Sequence, residues 1–143
     1  MRKTGSILLA DDDPVSVELA LEALNEAELK ATVAVVRDGE EALDYLYCRR
    51  QYEGRMEGHP SLILLDLKMP KVTGLEVLQQ IKSDPALESI PVMVVTSAQD
   101  KAELQACFDL GINSWFRKPP EFAEFGKAVK EILEADDSSE SQR

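Results

Sequence analysis

The feature that most constrains this chain is a regular alternation of strand-like and helix-like segments from one end to the other. Five short apolar runs predict buried strands, at 6–10, 33–36, 62–65, 91–95 and 114–116. Each run precedes apolar residues at helical spacing, which predict helices from 14, over 40–47, from 75 to about 83, over 100–110 and over 121–134. Five such pairs predict an α/β fold, a five-stranded parallel sheet with helices on both faces.

The length and composition of the chain indicate one folded domain followed by a short tail. The chain has 143 residues, of which 44% are hydrophobic, enough for one core of ordinary size. The polar stretch over 135–143 has no helical or strand periodicity, which predicts a disordered acidic tail. We therefore expect a single domain over 1–134 and a tail over 135–143.

The charge of the chain argues against nucleic acid and membranes as partners. The 27 Asp and Glu residues outnumber the 16 Lys and Arg residues, giving a net charge of −11, whereas phosphate backbones and anionic membranes attract clustered cations. No apolar run approaches the roughly 20 residues of a membrane helix, and no signal-peptide core follows the basic N-terminus. Cys48 and Cys107 are too few for a disulfide framework, so we expect a cytoplasmic protein.

Charged and hydroxyl side chains stand at the carboxyl ends of four predicted strands. They are Asp11, Asp12 and Asp13 after the first, Asp66 after the third, Thr96 after the fourth and Lys118 after the fifth. Ligands of open α/β sheets bind outside the carboxyl ends of the strands, near the point where strand order reverses. We therefore expect these side chains to share one rim, although they are far apart in the sequence.

Several carboxylates at one rim repel one another, and a divalent cation relieves that repulsion. Oxygen ligands without nearby His or thiolate select Mg²⁺, Mn²⁺ or Ca²⁺ over zinc or copper. A carboxylate is also a nucleophile that forms an aspartyl phosphate, and cations and donors then surround the phosphoryl oxygens. Taken singly, these residues also have ordinary explanations, such as a helix cap, a turn or a solvated lysine. Only their conjunction favours phosphoryl chemistry.

Four motifs resemble the receiver domain of bacterial two-component response regulators. The matching segments are 7–14, 62–70 with Gly74 eight residues after Asp66, 94–98 and 118–119. The resemblance covers roughly residues 5 to 134, with each motif at the end of a predicted strand. It implies a flavodoxin-like, doubly wound sheet of strand order 2-1-3-4-5.

The resemblance also implies the roles of individual residues. Asp66 is the phosphoacceptor and a metal ligand, Asp12 binds Mg²⁺ directly, Asp11 often acts through water, and the backbone carbonyl of Lys68 is a further ligand. The Lys68 ammonium could in addition shield the acyl phosphate from water.

The remaining rim residues match the parts of the family that respond to phosphorylation. Thr96 matches the hydroxyl residue that moves toward the phosphoryl group, and Lys118 matches the cation that contacts it. Trp115 stands where the family usually has the Tyr or Phe that swings inward, and its alternative is a plain aromatic residue. Asp13 is expected to cap the following helix.

The segment 48–60 is about ten residues longer than most receivers allow, and loops of this length are often functional. A similar insertion occurs in single-domain regulators that partner phytochrome-type kinases, which suggests that branch of the family. The alternative is a tolerated surface insertion. His59 within the segment is expected to be a surface residue.

The resemblance implies a single-domain response regulator that is phosphorylated by a sensor histidine kinase and has no output domain. Its output would be interaction with proteins, including a second copy through the face of helix 4, strand 5 and helix 5, where Phe108, Trp115, Phe122 and Phe125 lie nearby. It would not be an enzyme beyond autophosphorylation and autodephosphorylation.

Three other functions remain as alternatives. The first is a phosphorelay intermediate that passes phosphate to a histidine phosphotransfer protein. The second is an aspartyl-phosphate phosphatase, although Leu67 and Lys68 follow Asp66 where that class carries a second acid. The third is a flavin module, although Asp11, Asp12 and Asp13 would repel the flavin phosphate.

Overall fold

A computed structural model of the chain describes residues 5–56, 58–97 and 100–141, with side chains as far as 135. The strands are β1 Gly5–Ala10, β2 Ala31–Val36, β3 Leu62–Leu65, β4 Val92–Thr96 and β5 Ser114–Arg117. The helices are α1 Pro14–Glu26, α2 Gly39–Tyr47, α3 Gly74–Ser83, α4 Lys101–Asp109 and α5 Phe122–Ser141, with a short 3₁₀ helix at Arg50–Tyr52. Four predicted features include residues outside this description, namely residues 1–4 of the domain, Ala98 of the 94–98 motif, Glu57 of the insertion and the last two residues of the tail.

The sheet is parallel throughout and has the strand order β2-β1-β3-β4-β5. In the register of β1, Ala10 pairs with Val36 of β2 on one side and with Leu65 of β3 on the other. The predicted α/β fold and its flavodoxin-like order are therefore confirmed. The order reverses direction between β1 and β3, and the residues that follow these two strands lie side by side.

The core is divided into two halves by the sheet, because successive side chains of a strand point to opposite faces. Leu8 and Ala10 pack with apolar residues of α2, α3 and α4. Ile7 and Leu9 pack with apolar residues of α1 and α5. Strands buried on both faces read as continuous apolar runs in the sequence, which is why the central strands were predictable.

Local side chains begin the helices that leave the rim. Asp13 caps α1 by accepting hydrogen bonds from the Val15 N–H at 3.1 Å and the Ser16 hydroxyl at 3.0 Å, as predicted. Thr73 and Glu76 form a reciprocal capping box at the start of α3. These caps set where the chain turns from each strand end into the next helix.

Apart from shifts of one or two residues at the ends of elements, the structure differs from the predicted elements at two places. The 3₁₀ helix at Arg50–Tyr52 lies inside the insertion and was not predicted. Helix α5 continues to Ser141, beyond the predicted end at Glu134, because no glycine or proline follows to end it. The division into a domain over 1–134 and a tail over 135–143 stays a prediction. Among the described residues, none of the helices has the length and apolar character needed to cross a membrane.

Candidate functional site

The rim at the carboxyl ends of the strands carries a cluster of three carboxylates. Asp11 follows β1, Asp66 follows β3, and each is only 4% exposed, whereas Asp12 is exposed. One carboxylate oxygen from each of these residues lies within 4.8 Å of the others. The parallel ladder produces this proximity, since the Asp66 N–H donates to the Ala10 carbonyl at 3.0 Å.

Lys118 places an ammonium between the two buried carboxylates. Its Nζ lies 2.7 Å from Asp11 Oδ2 and 3.1 Å from Asp66 Oδ2, and the side chain is 14% exposed. The Lys118 N–H donates to the carbonyl of Thr96 at 3.1 Å, so the residue extends the pairing of β4 with β5. The structure therefore brings together residues that are more than a hundred positions apart in the chain.

The electrostatics of the cluster follow from burial and from this ammonium. Burial raises the pKa of Asp11 above 3.8, and the hydrogen bond from Lys118 offsets part of that effect. Burial by itself lowers the pKa of Lys118, but Asp11 and Asp66 outweigh it and raise that pKa above 10.5. Three carboxylates with one ammonium leave an excess of negative charge. The oxygen donors present are those that hold Mg²⁺ in proteins, so these residues fit the predicted cation.

The Asp13 side chain caps α1, and its backbone N–H orients Asp11 in the cluster. The donors of this cap hold the pKa of the Asp13 carboxyl below 3.8, the Ser16 hydroxyl first and the Val15 N–H second. Its own N–H donates to Asp11 Oδ1 at 3.0 Å. Asp13 therefore serves as a helix cap and positions Asp11.

The loop after Asp66 folds back on that residue. The Lys68 N–H donates to Asp66 Oδ1 at 3.4 Å, while the Lys68 side chain is exposed. Gly74 begins α3 against the Asp66 backbone, where an added Cβ would lie 2.1 Å from the Asp66 carbonyl oxygen. A glycine is required there by the close approach of two backbones, so the spacing of eight residues between Asp66 and Gly74 has a steric cause.

Thr96 and Trp115 lie on neighbouring strands and on the same face of the sheet. Thr96 is the last residue of β4 and is fully buried, and β4 residue Val94 pairs with Trp115 of β5. The Trp115 side chain is 37% exposed at the edge of the sheet. The Trp115 ring therefore lies between solvent and the neighbouring strand β4.

The aromatic residues near helix 4, strand 5 and helix 5 separate into two groups. Phe108 and Trp115 are large exposed hydrophobic residues, at 49% and 37%. Phe125 is fully buried and packs edge to face on Phe116, with ring centroids 5.7 Å apart. Phe125 therefore belongs to the core, and of the four expected aromatics only Phe108 and Trp115 are exposed.

A cavity of about 250 Å³ lies beside the rim, between α1 and the start of α5. Ser16, Ala20, Val95 and Pro120 contribute to its wall, together with Asp66 and Lys118 at the rim. Sequence reasoning missed this space. The small residues Ser16 and Ala20 lie four positions apart on one face of α1, which was the available signal.

Comparisons with known proteins agree with this geometry. Residues 7–130 match the response regulator receiver domain. Among curated proteins, "Probable methanogenesis regulatory protein FilR2" of Methanothrix harundinacea is 38% identical over 90% of this chain and 81% of its own length. Response regulator Rcp1 of Synechocystis sp. is 34% identical over 88% of this chain and 84% of its own.

Solved structures extend the likeness to three dimensions. Bacteriophytochrome response regulator RtBRR is 46% identical with a TM-score of 0.82, covering 91% of this chain and 78% of that one. The phosphorylated cyanobacterial phytochrome response regulator RcpA is 36% identical with a TM-score of 0.78, covering 91% of both. The Mn²⁺-bound form of Rcp1 is 34% identical with a TM-score of 0.77, covering 90% of this chain and 91% of that one. The chain belongs to the response regulator receiver family, among relatives of the phytochrome response regulators.

Proposed function

We propose that this chain is a signalling module switched by phosphorylation of Asp66, with a sensor histidine kinase as the phosphodonor. The observation that carries the proposal is the juxtaposition of a buried Asp66 carboxylate, a second acidic residue and the Lys118 ammonium within hydrogen-bond distance. The phosphorylated state of the similar RcpA supports it.

In the proposed transfer, an Asp66 oxygen attacks the phosphorus atom of a phosphohistidine. The P–O bond to Asp66 forms as the P–N bond breaks, and the leaving imidazole nitrogen keeps the electron pair and takes up a proton. Lys118 donates hydrogen bonds to the phosphoryl oxygens, and Thr96 moves its hydroxyl toward them. Excess negative charge at the rim opposes this step in the absence of cations.

The proposed metal ligands are the carboxylates of Asp11, Asp12 and Asp66 and the backbone carbonyl of Lys68. A bound Mg²⁺ would neutralise charge on the phosphoryl oxygens, and Mn²⁺ or Ca²⁺ could replace it. The cluster of three carboxylates and the Mn²⁺-bound form of the similar Rcp1 support a divalent site.

We further infer that the kinase is of the phytochrome type and that both proteins are cytoplasmic. Two of the similar structures are named as phytochrome response regulators.

Movement of Trp115 with Thr96 would change the exposed face that contains Phe108, which is the proposed surface for a target or a second copy. The exposed Lys68 ammonium would shield the acyl phosphate from water. The acyl phosphate of Lys68→Ala should then be hydrolysed faster than that of the wild type.

The decisive experiment is phosphorylation by a small acyl-phosphate donor with Mg²⁺, followed by intact mass spectrometry. We expect one added phosphate in the wild type, no adduct in Asp66→Ala, and no adduct when EDTA removes the metal. Asp109→Ala, which removes an exposed carboxylate far along the chain on α4, is the matched control and should be phosphorylated normally. An adduct that survives in Asp66→Ala would contradict the assignment.

A further inference from the structure

Specific contacts join the first half of the 48–60 insertion to α2. Tyr52 donates its hydroxyl to Glu41 Oε2 at 2.6 Å, and Arg50 Nη1 lies 2.9 Å from the buried Asp44 carboxylate. Arg55 Nη2 donates to the Tyr45 carbonyl at 2.7 Å, and its guanidinium lies over the Tyr45 ring at 3.8 Å from the centroid. These charge-assisted hydrogen bonds hold the insertion in a defined conformation, so it is not a loosely tolerated loop.

The first residue of α2 contacts the loop that follows Asp66. An added Cβ on Gly39 would lie 1.8 Å from the Val72 carbonyl oxygen, and the Gly39 N–H donates to the Pro70 carbonyl at 3.5 Å. Because the two backbones touch, α2 has no room to shift toward the loop without moving it.

Ionic contacts at the surface continue the same connection. Lys71 Nζ lies 3.7 Å from both Asp38 Oδ2 and Glu40 Oε1, and Glu40 Oε2 lies 3.8 Å from Arg50 Nη1. Glu40 therefore links the loop to the insertion. Lys71 has a φ of 68°, a left-handed conformation that is unfavourable for a side chain with a Cβ, so neighbouring contacts must hold it.

We propose that the segment 48–56 is a brace that fixes α2 and thereby positions the loop over 67–73 for metal binding. Tyr52 and Arg50 are positioning residues, because they act on the loop through Glu41, Glu40 and the body of α2. The inference rests on the proposed function, in which the Lys68 backbone carbonyl in this loop is a metal ligand.

The chain offers a matched pair of variants for the test. Tyr52→Phe removes one phenolic hydrogen bond to a carboxylate at 2.6 Å, which ties the insertion to α2. Tyr47→Phe removes another at 2.6 Å, which ties α2 to Asp84 after α3, and with it the bond that the hydroxyl accepts from Gln80 at 3.1 Å, and neither partner lies in the insertion. Both changes keep the aromatic ring, so both variants should fold, which thermal unfolding will show.

The first measurement is Mn²⁺ affinity, followed by the loss of the free Mn²⁺ signal in electron paramagnetic resonance. We expect Tyr52→Phe combined with Arg50→Ala to weaken Mn²⁺ binding about two- to fivefold, the range for one or two exposed polar contacts. Tyr47→Phe should bind as the wild type does. The second measurement is amide hydrogen exchange in the absence of metal. The protection of residues 67–74 from exchange should fall in the Tyr52→Phe, Arg50→Ala double variant and should not change in Tyr47→Phe.

The outcomes separate the two proposals. A wild type that does not bind Mn²⁺ overturns the proposed metal site and the brace together. Wild-type binding with equal affinity and equal exchange over 67–74 in all variants overturns the brace alone. A double-mutant cycle of Arg50→Ala with Lys71→Ala should be non-additive for Mn²⁺ affinity, and additive effects would count against Glu40 as the link.

Discussion

Two charged regions of this molecule use similar side chains in opposite ways. At the rim, Asp11 and Asp66 are buried and share the one ammonium of Lys118, while Asp12 adds a further carboxylate. Where the insertion meets α2, the buried Asp44 carboxylate of α2 has two arginines of the insertion as partners, Arg49 at 3.2 Å and Arg50 at 2.9 Å. Among the described residues, the three carboxylates of the rim have one ammonium in contact with them, whereas the single Asp44 carboxylate has two guanidinium groups.

The difference shows which region is prepared for a ligand. A buried carboxylate that already has two guanidinium partners needs no further cation, so it contributes to local structure. A buried carboxylate cluster with an excess of negative charge is stabilised by whatever cation binds it. The comparison predicts large effects of mutation at the rim that metal reverses, and small effects on stability around Asp44 that metal changes only as far as the two- to fivefold loss of affinity expected for the brace.

The largest expected effect is that of Lys118→Met at the rim. Removal of the ammonium leaves Asp11 and Asp66 buried without a counter-charge, which should lower the free energy of unfolding by about 3 kcal/mol in EDTA. Urea unfolding with and without saturating Mg²⁺ measures this, and Mg²⁺ should restore much of the loss because it binds the folded state. Equal losses of unfolding free energy in EDTA and in Mg²⁺ would contradict the predicted metal dependence at the rim.

The next effect is that of Gly74→Ala, which tests the backbone that supports the rim. The added methyl would lie 2.1 Å from the Asp66 carbonyl oxygen, so the loop after Asp66 must move. We expect a loss of about 2 kcal/mol in the free energy of unfolding together with weaker Mn²⁺ binding. Gly5→Ala is the control at the other end of β1, since an added Cβ there meets only the end of the Leu133 side chain, at 3.0 Å, and it should leave Mn²⁺ binding unchanged.

A smaller effect is expected in the pH dependence of stability. Burial raises the folded-state pKa of Asp11 above 3.8, so between these values the folded state binds more protons than the unfolded state. This contribution to stability is present below the unfolded value and is lost as pH rises through the folded pKa. In EDTA, urea unfolding from about pH 4 to pH 7 should show this decline in the wild type and a weaker one in Asp11→Asn.

The control for that pH series is Asp109→Asn, which makes the same change of charge at an exposed position on α4. It should follow the wild-type pH profile. Identical profiles for wild type, Asp11→Asn and Asp109→Asn would show that burial of Asp11 does not influence stability.

The smallest effect is that of Asp44→Ala on α2, beside the insertion. The Arg49 and Arg50 side chains are 51% and 63% exposed, so water can replace their lost partner. We expect a loss of about 1 kcal/mol or less in the free energy of unfolding, which Mg²⁺ changes only as far as the loss of metal affinity expected for the brace. Urea unfolding in both conditions measures it, and a loss as large as that of Lys118→Met would contradict the comparison.

The central strands and helix starts could be predicted because their causes are local. Strands β3 and β4 are buried on both faces, so their sequences are continuous apolar runs. The cap of α1 at Asp13 followed from an aspartate before Pro14. The identities of the candidate site residues followed from their places at strand ends, and their proposed roles came from the family resemblance.

Other features could not be predicted because their causes are not local. The Arg50–Tyr52 helix is held by Glu41 and Asp44 on α2, partners that no periodicity within the insertion reveals. The burial of Phe125 and the exposure of Phe108 depend on which face each helix turns to the sheet.

The sequence by itself determined the order of the elements, the acidic and hydroxyl residues at the strand ends and the glycines that permit close approach. The tertiary structure decided the distances, above all the 2.7 and 3.1 Å that separate Lys118 from Asp11 and Asp66. Apolar patterns and caps act between neighbours in the chain, so they can be read along it. The charge imbalance of the rim exists only after parallel pairing has brought β1, β3 and the end of β5 to one edge of the sheet.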